Sequence, residues 1–444
     1  MNQGYLKKTG ILCLAIVFLM AAGCGKAKTQ GAEENTFNTE AEVIAWEEEE
    51  QADNEDDTAS EEPDKPAPRE VVDGKIRSYF TGEWIDEELG KTRPLAIMLN
   101  NTSAALPMSG VSNASVIYEC PVEGRITRWM GVFEDWKNLD RIGSVRSCRL
   151  YYLHFAQEFH PVYAHFGQAQ YALADLNSGK YDVLSGGTKG IEHPATAMYD
   201  RISRPGKATE HTLYAFPKGI QRDIEKKGYD MTMPEEYPGK FKFADTGEIA
   251  EYQGYPDATV LKPGGDGGKN GFGGVKATFK YDASDRKYYR WTYGNPHTDE
   301  LNGKQVAVTN VIFQYCDGNV LDAKDYLHFA TQSNGNECKV FTNGKEIDGY
   351  WKNPGELGTP ARYYDENDQE IVLNNGKTLS VSSGMIIRMM WSFSKEKRNH
   401  GKEKQFKIQL YYAGQHSGHC VHREPDHWTS LPVAGDQYHY RPWK

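Results

Sequence analysis

Apolar residues after position 90 fall into short runs separated by polar turns. Three runs show no alternation, which is typical of strands buried on both faces: residues 95–101, 114–120 and 162–167. Residues 126–133 alternate between two faces and predict a further strand. Residues 144–159 and the stretch near 169–176 have helical spacing instead. Strands that alternate with helices favour an α/β architecture, and we place this N-terminal domain at residues 91–230.

The pattern changes from about residue 231. Short β-type runs follow one another between turn residues, at 275–281, 288–293, 305–315, 339–343, 370–373 and 377–383. They predict a mostly antiparallel β domain over residues 231–394, so the fold class expected for the whole chain is α+β or α/β. The glycine-rich residues 262–274 lack the GK[ST] ending of a phosphate-binding loop and follow no apolar strand, so we interpret them as a flexible loop.

The first 24 residues have the pattern of a secretory leader. Lys7 and Lys8 precede the apolar residues 11–22, and small residues lead directly into Cys24. This arrangement resembles a bacterial lipobox, which implies cleavage after residue 23, a lipidated Cys24 and a protein held on the extracytoplasmic face of the cell membrane. The alternative is an ordinary signal peptide with an incidental cysteine. The apolar run is shorter than the roughly 20 residues that span a bilayer.

Charge is distributed unevenly along the chain. Residues 31–64 hold 15 Asp and Glu and no Lys or Arg, so we interpret residues 24–90 as the lipidated cysteine followed by an acidic disordered tether. Without that acidic block the net charge of −11 largely disappears, and bulk charge gives no reason to expect a nucleic-acid partner.

The C-terminal residues 395–444 form a predicted basic tail that contains several histidines. Four side chains suited to zinc or copper lie close together in it, namely His416, His419, Cys420 and His422. We favour a solvated tail and predict neither a metal nor a cofactor. Among the other cysteines, Cys316–Cys338 is a plausible disulfide and Cys120–Cys148 a weaker candidate.

The candidate chemistry lies in the N-terminal domain. Arg146 and Arg149 are three residues apart near the start of the predicted helix and would share a face. With Arg128 and Arg204 they could line a cleft that binds phosphate, pyrophosphate or carboxylate. The structural alternative is that these arginines form ion pairs with nearby carboxylates such as Glu119 and Glu123.

A catalytic interpretation needs a proton acceptor in the same cleft. Glu119 or Glu123 could act as a general base close to His165 or His211. The chain has no GxSxG, SxxK or HExxH motif, and we interpret Cys148 as a buried structural thiol rather than a nucleophile. An enzyme is therefore not required by the sequence.

Several long segments resemble the YerB family of Gram-positive lipoproteins, numbered 3048 among the domains of unknown function. They include RPLAIMLNN and VIYECPVEGRITRWMGVF within residues 93–133, IGSVRSCRLYYL at 142–153, and YDRISRPGKATEHTLY at 199–214. In the second domain GYWKN and RYYDENDQEIVLNNGKTLSV carry the resemblance. It implies a two-domain lipoprotein at the cell envelope without a known activity. Asn100 stands where the family often has Asp, and Gln168 where it often has Gly.

Three functions remain open at this point. The first is an envelope lipoprotein that binds an anionic cell-wall component or envelope protein through the arginine cleft. The second is a hydrolase or transferase that acts on phosphate-linked or glycan polymers, with the arginines stabilising charge. The third is a protein-interaction scaffold that would display a large apolar patch on its β domain.

Overall fold

The computed structural model describes residues 69–187, 189–265, 271–356 and 358–384. The predicted leader, the predicted lipidation site Cys24, most of the predicted tether and the predicted tail lie outside the described residues, and so do His416, His419, Cys420 and His422.

The described residues contain many strands and few long helices. The strands in chain order are β1 Val71–Val72, β2 Lys75–Arg77, β3 Trp84–Asp86, β4 Leu95–Asn100, β5 Val116–Val122, β6 Ile126–Phe133, β7 Ile142–Gly143, β8 Val162–Phe166, β9 Val183–Gly186, β10 Tyr199–Arg201, β11 Leu213–Ala215, β12 Lys242–Phe243, β13 Val260–Leu261, β14 Thr278–Asp282, β15 Lys287–Thr292, β16 Asn295–Pro296, β17 Ala307–Val308, β18 Asn310–Cys316, β19 Gly318–Val320, β20 Leu327–Phe329, β21 Ser333–Thr342, β22 Lys345–Asn353, β23 Arg362–Asp365, β24 Val372–Leu373 and β25 Thr378–Gly384. The α-helices are α1 Glu87–Gly90, α2 Leu150–Gln157, α3 Leu173–Asn177, α4 Pro217–Lys227 and α5 Gly271–Gly274.

One ten-stranded sheet organises the fold, with the order β23-β22-β21-β18-β25-β5-β6-β4-β8-β9. The strands β5, β6 and β4 are antiparallel neighbours, whereas β4, β8 and β9 run parallel. The strand β25 lies parallel to both β18 and β5 and joins the two halves of the sheet. The sheet thus takes strands from both predicted domains, and the division near residue 230 stays a prediction.

The central strands are buried and largely apolar because the sheet is covered on both faces. All residues of β4, β5 and β18 are buried. One face packs Leu99 and Trp129 against a layer that includes the small sheet β13–β17 and α4, and the other packs Met98 and Tyr118 against α2. We call these the Trp129 face and the Tyr118 face.

The described part of the chain is mostly β, with several sheets. The strands predicted at 95–101, 114–120, 126–133 and 162–167 are present, and strands also occur in each of the runs predicted after residue 270. The α/β character expected for residues 91–230 is not confirmed, because the helices there are short and half of the strand pairs in this part of the main sheet are antiparallel.

Three local predictions are wrong. Residues 71–90, which the charge pattern places in the tether, form β1–β3 and α1, and Phe80 packs against Phe159. The helix expected over 144–159 is confined to α2, because its first residues pair with neighbouring strands. Neither expected disulfide is present, since all four cysteines are buried free thiols. The cross-strand register explains one pair: Cys338 lies opposite Gln314, two residues before Cys316.

Candidate functional site

The candidate site lies where the parallel strands β4 and β8 end. The extended segment 145–148 runs between their carboxyl ends: the Arg146 N–H donates to the Met98 carbonyl (3.0 Å), and the Phe166 N–H donates to the Arg146 carbonyl (3.1 Å). Gly167 follows β8 with φ +74°, and a Cβ there would come within 3.0 Å of Ser147 Oγ. Side chains at the carboxyl ends of parallel strands commonly contact ligands. We use the name arginine crevice for the group of residues at this strand end: Asn100, Arg128, Arg146, Ser147 and His211.

Arg128 is the most deeply placed cation of the arginine crevice. It projects from β6 onto the Tyr118 face, is 5% exposed, and donates from Nη1 to the Ser147 carbonyl at 2.8 Å. No Asp or Glu of the described ranges lies within ion-pair distance of it. Burial lowers the pKa of Arg128 to about 10, and the positive charges of Arg149 and Arg146 contribute. Its charge is therefore poorly compensated.

Arg146 stands beside this buried guanidinium. It is half-buried, and its Nη1 lies 3.4 Å from the Glu210 carbonyl oxygen. Its Nε atom is buried and has no hydrogen-bond partner among the described residues. Burial lowers the pKa of Arg146, the carboxylate of Glu210 opposes that shift, and the charge of Arg149 adds to it. The arginine crevice thus contains two guanidiniums, and neither is in an ion pair with a described carboxylate.

His211 and Asn100 complete the polar lining. Asn100 Nδ2 donates to His211 Nδ1 at 2.9 Å, so the neutral imidazole carries its proton on Nε2. Asn100 Oδ1 accepts from the N–H and the hydroxyl of Thr102. Burial lowers the pKa of His211, and three nearby cations also lower it while Glu210 raises it; the cations are Arg146, Lys207 and Arg204. His211 is therefore a neutral donor in positive surroundings.

The other two candidate arginines are occupied. Arg149 contacts both carboxylate oxygens of Glu123, with Nε–Oε1 at 2.8 Å and Nη2–Oε2 at 2.5 Å. Arg204 donates to the carbonyls of Ala105 and Pro107 and lies 3.8 Å from Glu300. The prediction that Arg146 and Arg149 share a helical face is wrong. The helix α2 begins only at Leu150, and Arg146 is in extended backbone.

Glu119 is separated from the arginine crevice by the sheet itself. It lies on the Trp129 face, fully buried, where Arg290 Nη2 contacts its two oxygens at 2.9 and 2.7 Å. Asn101 and Thr127 also donate to it. His165 remains on the Tyr118 face, where its Nδ1 donates to the Gly167 carbonyl and its Nε2 accepts from Ser185. Burial lowers the pKa of His165 to about 4.

Arg290 is not among the residues that the sequence predicts to be important. Arg290 occurs 171 residues after its partner Glu119, so no local spacing connects the two. A signal was present nonetheless: residues 287–292 alternate, and Arg290 falls on the buried side with Tyr288 and Thr292. A charged residue on the inward side of a strand needs a buried partner. No cluster of three or more potential metal ligands occurs among the described residues.

Comparison with known proteins gives the family. Residues 80–230 match the N-terminal domain described as a protein of unknown function, DUF3048, and residues 271–379 match the C-terminal domain of the same description. The chain belongs to the DUF3048 family. The second DUF3048 match ends within β25, the strand that joins the two halves of the main sheet.

Two comparisons connect this DUF3048 chain with Bacillus subtilis. It is 26% identical over 279 residues to "Putative lipoprotein YerB" of strain 168. The aligned region covers 63% of this chain and 78% of that protein. The crystal structure of the B. subtilis YerB protein superposes with a TM-score of 0.55 and 23% identity, over 69% of this chain and 96% of that one. That likeness shows a shared fold. Within the described ranges, no helix combines the length and apolarity needed to cross a membrane.

Proposed function

We propose that this protein is a cell-envelope lipoprotein, anchored through Cys24, which binds an anionic group in the arginine crevice. The lipobox pattern and the similarity to a protein named as a lipoprotein support the anchor. The ligand would be the phosphate or carboxylate of a cell-wall component or of an envelope protein.

The observation that carries this proposal is the unpaired charge of Arg128. A buried ion without a partner is costly, and Arg128 is 5% exposed with no described carboxylate in ion-pair distance. Arg146, half-buried beside it, leaves its Nε without a described partner. A bound oxyanion would supply the missing negative charge and accept hydrogen bonds from both guanidiniums.

The chemistry of the surroundings supports an anion rather than a cation. Arg204 and Lys207 both act electrostatically on His211, and Glu210 is the acidic side chain that opposes them. His211 is neutral and carries its proton on Nε2, so it can donate to an anion without contributing charge. The exposed Glu210 carboxylate lies 3.5 Å from that nitrogen, and an entering anion would displace it.

The catalytic alternative has less support from the geometry. Glu119 is held by Arg290 on the other face of the sheet, and Glu123 is held by Arg149. Both proposed bases therefore have their oxygens engaged by guanidinium groups in this conformation. The scaffold alternative expects a large apolar patch, and among the described residues the exposed large apolar side chains fall in four separate stretches of the chain, at Val71, Val72, Ile249, Val260, Val320 and Leu321.

The test is titration of the full chain with inorganic phosphate, followed by calorimetry. We expect saturable binding that R128Q and R146Q each weaken by about tenfold, since hydrogen bonds to charged groups contribute about 1.5–3 kcal/mol. R222Q removes an exposed guanidinium elsewhere and should leave the affinity unchanged. Equal loss in all three variants would indicate bulk charge attraction, and absence of saturation would overturn the proposal.

A further inference from the structure

A third guanidinium lies beside the arginine crevice, at the end of β10. It belongs to Arg201, the last residue of that strand, which is exposed. Alternate residues of a strand point to the same side, so Arg201 points the same way as Tyr199. The Tyr199 hydroxyl donates to the carbonyls of His165 in β8 and Leu184 in β9. Arg201 is therefore directed toward the strand end at which the arginine crevice lies.

Contacts with Phe166 agree with this placement. The Arg201 Cζ atom lies 5.9 Å from the centre of the Phe166 ring, and the Tyr199 ring packs edge-on against the same ring at 5.5 Å. Phe166 is the last residue of β8, and its N–H donates to the Arg146 carbonyl. One residue thus connects Arg201 with the extended segment that carries Arg146.

Arg201 and Arg146 also contact consecutive carbonyls. Arg201 Nη1 donates to the Thr209 carbonyl, and Arg146 Nη1 lies 3.4 Å from the Glu210 carbonyl oxygen. The Cα atoms of consecutive residues are only about 3.8 Å apart, so the two guanidiniums are neighbours. Both are held by the short 3₁₀ helix that ends in His211, itself a member of the arginine crevice.

The three guanidiniums form a series from the interior to the surface. Arg128 is buried, Arg146 is half-buried and Arg201 is exposed. The charge of Arg146 contributes to the lowered pKa of Arg128, so these two cations repel each other. Within the described ranges, none of the three forms an ion pair with a carboxylate. A ligand with two linked negative groups would neutralise this series better than a single compact anion.

Two carboxylates lie close to the series. Asp200 Oδ1 accepts from the backbone N–H of Arg201 at 2.7 Å, and the Glu210 carboxylate lies 3.5 Å from His211 Nε2. Both carboxylates are on exposed residues, where solvent and salt weaken their interactions. They do not cancel the three guanidinium charges, and the balance at this strand end stays positive.

We infer that the ligand of the arginine crevice carries a diphosphate group and that Arg201 selects it over a single phosphate. The inference rests on the anion binding proposed above. One phosphate would accept hydrogen bonds from Arg128 and Arg146, and the second from Arg146 and Arg201, because a guanidinium presents donors along more than one edge. A single phosphate would engage the inner pair alone. Nucleotides and lipid carriers both present a diphosphate, and the contacts to it would be the same.

The experiment is calorimetric titration of the full chain with inorganic phosphate and with pyrophosphate. We expect pyrophosphate to bind at least tenfold more tightly, because it adds charge-assisted hydrogen bonds to Arg201. R201Q should reduce the pyrophosphate affinity to about that of phosphate and leave the phosphate affinity unchanged. The glutamine amide can still donate to the Thr209 carbonyl, so the substitution removes the charge and preserves a donor for the 3₁₀ helix.

R222Q is the matched control, because it makes the same substitution at an exposed arginine of α4. It should keep the full preference for pyrophosphate. Uridine diphosphate and farnesyl diphosphate then distinguish the two sources of the group. Binding of either one that R201Q weakens by about tenfold supports the inference and identifies the source, whereas failure of both to bind would overturn it.

Three further results would overturn the inference. They are equal affinities of the unaltered chain for phosphate and pyrophosphate, equal losses in R201Q and R222Q, and a loss of phosphate affinity in R201Q, which would make Arg201 a support of the 3₁₀ helix. The first comparison needs no variant and stands even if R201Q does not fold. Phosphate binding that depends on Arg128 and Arg146 without a preference for pyrophosphate would leave the proposed function intact.

Discussion

Arg290 and Arg128 are two buried guanidiniums on opposite faces of one sheet, and their surroundings differ. Arg290 contacts both oxygens of Glu119, while Arg128 donates to the Ser147 carbonyl and has no described carboxylate within ion-pair distance. Both side chains are at most 5% exposed. A buried cation with its counter-ion in place contributes to the architecture, whereas one without it leaves room for an external anion. Burial of an arginine alone therefore does not identify a site; the absence of its partner does.

The largest expected effect on the free energy of unfolding comes from breaking the ion pair between Arg290 and Glu119. Glu119→Gln leaves Arg290 buried without a counter-ion and should lower the free energy of unfolding by about 3–5 kcal/mol, as measured by urea denaturation. Asp257→Asn is the control, because that carboxylate is 80% exposed in its ion pair with Lys345. Its loss should be smaller, about 1 kcal/mol. Equal losses would contradict the distinction between architectural and surface pairs.

The second largest effect concerns His165, a buried basic side chain on the same face of the sheet as Arg128. Because His165 is neutral, its burial does not carry the free-energy cost of burying a charge. Its folded pKa of about 4 lies below the unfolded value of about 6.5, so the unfolded chain binds the proton first. Protonation of His165 in the unfolded chain therefore lowers the free energy of unfolding as the pH falls from 6.5 toward 4. The total loss is about 3 kcal/mol, and above pH 6.5 there is none.

His165→Asn is the variant that isolates this contribution. The free energy of unfolding of the unaltered chain should fall with decreasing pH between about 6.5 and 4 more steeply than that of the variant. Urea denaturation at a series of pH values measures both slopes. Parallel curves would show that His165 does not titrate in this window, and would place the acid sensitivity elsewhere in the chain.

The smallest effect on the free energy of unfolding is expected from substitution of Arg128, which lacks a described counter-ion. Arg128→Met removes a buried charge that has no described counter-ion, so in buffer without phosphate the free energy of unfolding should change by no more than about 1 kcal/mol, or increase. Arg290→Met makes the same substitution on the other face, leaves Glu119 unpaired, and should cost about 3–5 kcal/mol. Similar losses of unfolding free energy from the two variants in urea denaturation would contradict the distinction between an arginine with a counter-ion and one without.

The sequence predicts the central strands either from uninterrupted apolar runs, at residues 95–101 and 162–167, or from alternation, at residues 126–133. Residues 95–101, 126–133 and 162–167 hold β4, β6 and β8. The segment 144–149 is extended rather than helical, because the spacing of its apolar residues does not reveal the backbone pairing that β4 and β8 offer at their ends. Arg146 is fixed there by hydrogen bonds to Met98 and Phe166, and tertiary pairing overrides a weak local preference.

The candidate site could be predicted in part. Arg128, Arg146 and His211 are recognisable as a cluster of polar residues near strand ends, and the structure places them near one another. Their difference from Arg149 and Glu119 depends on side-chain pairing and on which face of the sheet a residue occupies. Glu119 and Arg128 lie in neighbouring strands, yet they point to opposite faces.

The place of β25 in the main sheet governs the order in which this chain can fold. Ribosomes release a chain from its N-terminus, and the strand that fills the gap between β5 and β18 is the last one described, Thr378–Gly384. Until it emerges, β5 and β18 each expose an unpaired backbone edge, and such edges attract other chains. A nascent protein of this kind is exposed to aggregation for a long interval, which ends only when β25 joins the sheet.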